Sequence, residues 1–100
     1  MIKSKKLRNS ARGRDCELRL IGTCNGNNET TVLAHIGHDI GTSIKGNDTM
    51  AVFACSSCHD AIDGRASYNS LANPNIQEDL LRALEATQSY WLSEGLLNAK

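Results

Sequence analysis

Four cysteines and three histidines are the residues of this 100-residue chain best suited to chemistry. Cys55 and Cys58 are separated by two residues, a spacing that lets two thiolates grip one ion from a tight turn whose backbone amides favour negative sulfur. A second pair is needed to complete a tetrahedral set, and Cys16 and Cys24 supply it, at a longer separation than the usual knuckle. The reading is a four-cysteine structural Zn²⁺ site, preferred to unpaired structural thiols. Two other meanings of the same letters are weaker. A dithiol redox pair belongs between a strand and a long helix of an α/β chain, and the strand order here argues against it. Cys55-Ser-Ser-Cys58-His59 also matches the attachment pattern of a c-type haem. Haem attachment implies export, however, and it leaves Cys16 and Cys24 unexplained.

His59 follows the second knuckle cysteine directly, and Asp63 lies four positions on. A helix starting at the knuckle puts imidazole and carboxylate on one face, where together they can hold one divalent cation. The plainer alternative is that His59 caps the helix and Asp63 faces solvent. His35 and His38 flank the start of a glycine-rich loop running from Gly37 to Asn47, where side chains from strand and helix ends can converge.

The elements that must position these residues are legible in outline. Cys16-Glu-Leu-Arg-Leu-Ile21 alternates weakly, as a short strand would, before a turn at residues 22–28. Thr30 to Ile36 is rich in β-branched residues and reads as a second strand, and Thr49 to Cys55 as a third, apolar enough to be buried. A short helix follows, ended or bent by Gly64. Asn73 is a candidate cap ahead of Pro74, with Glu78 and Asp79 near the positive end of the helix dipole. From there Leu80, Leu81, Leu84, Gln88, Trp91 and Leu92 follow helical spacing, which predicts a long amphipathic helix over the sheet.

Length allows one domain with a modest core, which a bound metal would help to hold together. The expected organisation is a basic flexible arm over residues 1–10 and a single domain over 11–100. A net charge of zero hides an asymmetry: residues 1–20 carry seven Lys or Arg against two acids, and the remainder four against nine. A basic segment on an acidic body suits contact with a polyanionic backbone. Lys5, Lys6, Arg8, Arg12, Arg14 and, past the short helix, Arg65 are the candidate phosphate contacts; Arg19 is another basic residue of the same segment. No stretch is apolar enough to span a membrane, and the basic N-terminus has no apolar run behind it to act as a signal peptide, so a cytoplasmic location is expected.

A strand ending in Ala34-His35-Ile36, a loop, a strand ending in Cys-x-x-Cys-His and then a helix resembles the HNH, or ββα-metal, nucleases. The likeness is closer still to the YbcO-like family of small prophage nucleases. It is carried by Ala11-Arg-Gly-Arg-Asp-Cys16, Cys24-Asn-Gly-Asn27, Val32-Leu-Ala-His-Ile36, Ala54-Cys-Ser-Ser-Cys-His-Asp-Ala-Ile-Asp63 and Gln88-Ser-Tyr-Trp-Leu-Ser-Glu-Gly95, and so covers nearly the whole chain after residue 10. The resemblance implies an α+β fold: a small zinc-stabilised HNH-like domain with a C-terminal amphipathic helix. It also implies a metal-dependent DNA endonuclease of prophage origin. His35 takes the position of the general base, and His59 and Asp63 match the helix positions that hold a catalytic divalent metal, Mg²⁺ or another exchangeable cation, separate from the structural Zn²⁺. Product would carry a 5′-phosphate.

Two positions depart from the wider HNH pattern. Ala34 stands where a metal-binding residue usually precedes the base, and Met50 where the central Asn is expected, with Asn47 and Asp48 nearby but out of step. Asp48 or His38 could compensate. These departures keep open an alternative, a non-catalytic zinc-binding adaptor that holds DNA in phage recombination, with recombination proteins as partners. No base-reading element is evident, so the DNA expected is single-stranded, branched or otherwise recognised by shape.

Overall fold

The computed structural model describes residues 4–36, 48–64, 68 and 71–97. Its regular elements are α1 (Lys5–Ser10), β1 (Val32–His35), β2 (Ala51–Ala54), α2 (Ser56–Ile62) and α3 (Ile76–Ser93), with a 3₁₀ turn at Asn28–Thr30 ahead of β1. The fold is α+β, with a two-stranded antiparallel sheet in which Val32 pairs with Ala54, Leu33 with Phe53, Ala34 with Val52 and His35 with Ala51. The glycine-rich loop over 37–47 that joins the strands, with His38, lies outside the described residues, as does Arg65.

Strand β2 is the centre of the packing, since all four of its residues are fully buried. Its alternating side chains serve two cores, as the period of two requires. Val52 and Ala54 join Leu18, Leu20, Ala34, Ala61, Ala83 and the buried cysteines. Phe53 points the other way, into a cluster with Leu7, Ala11 and Trp91. There its ring meets Trp91 edge-on, with centroids 5.9 Å apart and planes at 89°, a favoured aromatic arrangement. The Trp91 indole N–H donates to Ser10 Oγ at 2.8 Å, which fixes the end of α1 against α3.

Burial on both faces leaves the backbone of β2 to be satisfied. Phe53 accepts from the Glu17 N–H at 2.8 Å and donates its own N–H to Thr87 Oγ1 at 3.1 Å. Thr87 is fully buried, so its hydroxyl is a structural requirement and not a surface choice. Thr87→Val keeps the shape and orphans the Phe53 N–H; the expected cost is about 1–3 kcal/mol, read from urea denaturation.

Three sequence expectations are corrected. Residues 16–21 do not form a strand, although Cys16, Leu18 and Leu20 are buried with the alternation a strand would have. Arg19 takes a left-handed conformation (φ +49°), which turns the segment around the Cys16 sulfur after a single backbone bond to β2. The cap of α3 is Asn75, whose side chain accepts from the Glu78 N–H, and not Asn73. Asn73 is buried and uses its amide to bind both the N–H and the carbonyl of Ile21. Finally, the inward face of α3 is Ala83, Thr87 and Trp91, one turn apart, while Leu81 and Leu92 are exposed. Ala83 and Thr87 let the helix axis approach β2 closely, while Trp91, one turn further, fills the second core beside Phe53.

The segment expected as a flexible basic arm contains α1. Ser4 caps it by accepting from the Leu7 N–H, and Leu7 is buried. No helix among the described residues is long and apolar enough to cross a membrane.

Candidate metal centre and cleft

Helix α2 begins at the residue after Cys55, and Cys55 is itself the cap: its sulfur accepts from the Cys58 N–H at 3.4 Å. The turn after Cys16 does the same, the Arg19 N–H reaching the Cys16 sulfur at 3.3 Å. Each pair thus has one sulfur pre-set by a backbone donor. Two separate parts of the chain are brought together here, and one ligand atom from each of Cys16, Cys24, Cys55 and Cys58 lies within 4.8 Å of the others. Four cysteines so placed could hold a metal ion. The Cys24 and Cys55 sulfurs are 3.8 Å apart, and thiolates on a tetrahedral Zn²⁺ at about 2.3 Å stand about 3.8 Å from one another.

The electrostatics of the cluster also suit a cation. A hydrogen bond from the Cys58 thiol, outweighing burial, brings the Cys16 thiol down to about 4. That hydrogen bond to Cys16, together with burial, pushes Cys58 up, and burial pushes Cys24 up. One thiolate shared among buried thiols is a poor resting state, whereas a dication neutralises several sulfurs at once. The arm carrying Cys16 is held down by Arg82 of α3, whose guanidinium donates to the Glu17 and Leu18 carbonyls at 3.3 and 3.2 Å.

On the other side of α2, a cleft of about 540 Å³ is lined by Arg8, Asn9, Arg12, Thr31, Val32, Leu33, His35, His59 and Asp63. The three residues singled out as base and metal ligands therefore share one concavity, with two of the candidate phosphate-contacting arginines on its wall. One turn of α2 sets His59 Nε2 3.0 Å from Asp63 Oδ2. The two atoms are thus hydrogen-bonded to each other; adjacent ligands of an octahedral ion at about 2.1 Å also stand about 3.0 Å apart, so a small divalent cation could replace the shared proton. Among the described residues only the four cysteines bring three or more Cys, His, Asp or Glu within ligand distance. Lys5 and Lys6 are exposed on α1, whereas the Arg14 guanidinium stacks 3.9 Å over the Tyr90 ring.

Asp48 is the residue whose place the sequence left open. It is completely buried, and it receives Arg8 Nε at 3.0 Å and the Ser4 backbone N–H on Oδ2, while His35 Nε2 lies 2.7 Å from Oδ1. Burial alone would raise this carboxyl; the hydrogen bonds from His35, Ser4 and Arg8 outweigh it and hold Asp48 below the usual carboxylate range. The available signal was a lone acid directly before a buried strand, a position where an unpaired charge is costly and a partner must exist. Ala34, at the position of the missing ligand, is fully buried opposite Val52.

Residues 5–96 match the family model described as "Putative nuclease YbcO". The chain is 45% identical over 95 residues to proteins of that name from Escherichia coli (strain K12) and Enterobacteria phage 82, covering 93% of this chain and 97% of each relative. It also resembles a solved structure described as "Structure of a putative bacteriophage protein from Escherichia coli str. K-12 substr. MG1655", with a TM-score of 0.71 and 43% identity over 90% of this chain and all of that one. Matched over nearly its whole length, the chain belongs to the YbcO putative nuclease family.

Proposed function

We propose that this chain is a metal-dependent DNA endonuclease of the HNH class, carried by a prophage, that hydrolyses phosphodiester bonds in the cleft between α1 and α2. The observation that carries the reading is the convergence of His35, His59 and Asp63 on one cleft walled by Arg8 and Arg12. The antiparallel β1–β2 pair followed directly by α2 is the element order that such a site requires.

In this mechanism the DNA backbone enters along the basic wall, where Arg8 and Arg12, with Lys5 and Lys6 beyond them, neutralise phosphates without reading bases. His35, at the end of β1, takes a proton from the water that attacks phosphorus in line. His59 and Asp63 would hold Mg²⁺ or another exchangeable divalent cation, which would supply charge stabilisation at the phosphate and the leaving oxygen. The product carries a 5′-phosphate. Structural Zn²⁺ on the four cysteines fixes α2, and hence His59, relative to the rest of the domain.

The buried methyl of Ala34 supports a second reading, a zinc-binding DNA adaptor working with phage recombination proteins, because that position has no ligand to offer. Cleavage of labelled single-stranded, duplex and branched DNA with Mg²⁺, Mn²⁺ or Ni²⁺ separates the two. Metal-dependent cutting that disappears in zinc-loaded His35→Ala and His59→Ala variants is the expected result. A zinc-loaded, DNA-binding protein that cuts nothing with any of the ions would establish the adaptor.

A further inference from the structure

An imidazole can accept a proton only at a ring nitrogen that does not already carry one, so the tautomer of His35 decides whether it can serve as a base. We infer that Asp48 is the positioning residue for His35: it accepts the Nε2–H, leaves the lone pair on Nδ1, and thereby selects the one tautomer in which His35 can take a proton from water. This rests on the proposed role of His35 as the base.

The geometry supplies the selection. Asp48 Oδ2 is occupied by two obligate donors, the Ser4 backbone N–H and Arg8 Nε, neither of which can reverse its role. Oδ1 is left facing His35 Nε2 at 2.7 Å. An ionised carboxylate only accepts, so the proton of that short contact belongs to the imidazole. The carboxylate is fully buried, and no solvent competes for it. It also ties together three parts of the molecule: the start of α1, the end of β1 and the approach to β2.

The same arrangement gives a test in which the fold is kept and the tautomer is reversed. In Asp48→Asn the two donors on the Oδ2 side demand an acceptor, so the amide oxygen settles there and the NH₂ turns toward His35. All three hydrogen bonds survive only if Nε2 becomes the acceptor and the ring proton moves to Nδ1. Ring ¹⁵N–¹H correlation spectra of zinc-loaded protein, taken where the imidazole is neutral, read this directly. The expected result is an Nε2–H tautomer in the wild type and Nδ1–H in Asp48→Asn. In cleavage, kcat falls by up to about 10⁴-fold, the scale of an Asp-to-Asn change behind a catalytic histidine, while KM is unchanged. An Nδ1–H tautomer in the wild type, or the same tautomer in both proteins, overturns the inference. If Asp48→Asn does not fold, the wild-type spectrum alone decides. A tautomer that switches in a protein with no nuclease activity would leave the Asp48 assignment standing and remove the nuclease reading.

Discussion

With the proposed Zn²⁺ on its four cysteines, the protein is expected to lose its folded state altogether on treatment with a strong chelator at neutral pH, and not merely to soften at one end. Cys16, Cys55 and Cys58 belong to the same buried cluster as Leu18, Leu20, Val52 and Ala83. The segment that carries Cys16 reaches β2 through Glu17, and Arg82 secures it from α3. Binding of structural Zn²⁺ contributes about 10–16 kcal/mol in small zinc domains, as much as the total stability of an ordinary domain, about 5–15 kcal/mol. Loss of near-native circular dichroism and of a cooperative melt on chelation, with recovery on adding one equivalent of Zn²⁺, is the measurement. Cys58→Ser should behave like chelation, since it leaves a buried hydroxyl in a thiolate position. Cys24→Ser, at a half-exposed site where water can stand in, should be milder. A chelated protein with an unchanged melt would remove zinc from the account altogether.

The second large effect is on cleavage. Replacing His35 with Ala should lower single-turnover cutting by about 10²–10⁴-fold, the usual contribution of a general base. His59→Ala should cost at least as much, because it removes half of the pair proposed to hold the divalent cation. Neither change removes an arginine or lysine proposed to meet phosphate, and Arg8 keeps its bond to Asp48, so DNA affinity should stay near that of the wild type. Arg12→Ala should behave in the opposite way, weakening binding to all sequences and lowering the slope of log affinity against log salt by about 1. A His35→Ala protein that cuts at the wild-type rate would transfer the base role elsewhere in the cleft.

How far the amino-acid order reveals this depends on whether the information is local. The Cys55 and Cys58 spacing and the four-residue step from His59 to Asp63 are properties of one short helix, and both are realised in α2. Burial of β2 followed from its unbroken apolar run. The link between Asp48 and His35 spans 13 residues and depends on α1 folding back to supply Ser4 and Arg8, so the sequence around Asp48 signals that a partner is needed but not which residues supply it. The strand expected at Cys16–Ile21 failed for a related reason. Its side-chain alternation is real, but the left-handed turn at Arg19 is fixed by the sulfur it wraps, a tertiary demand that outweighs local preference. On α3 Leu80 and Leu84 pack at the edge of the core, Leu81 and Leu92 face solvent, and Ala83 and Thr87 do the closest packing. Hydrophobicity ranks residues by size, and a tight helix–strand contact selects against size.

The order in which the ribosome delivers these parts sets when the molecule becomes functional. The cysteine cluster is incomplete until Cys58 has emerged, and even then β2 lacks the cover of Ala83, Thr87 and Trp91, which come in the last quarter of the chain. With so much of its packing between distant segments, the nascent polypeptide has no stable intermediate domain to fall into along the way. The proposed cleft is therefore assembled on a covered sheet only after α3 has been made, and chains interrupted before it leave β2 open to proteolysis.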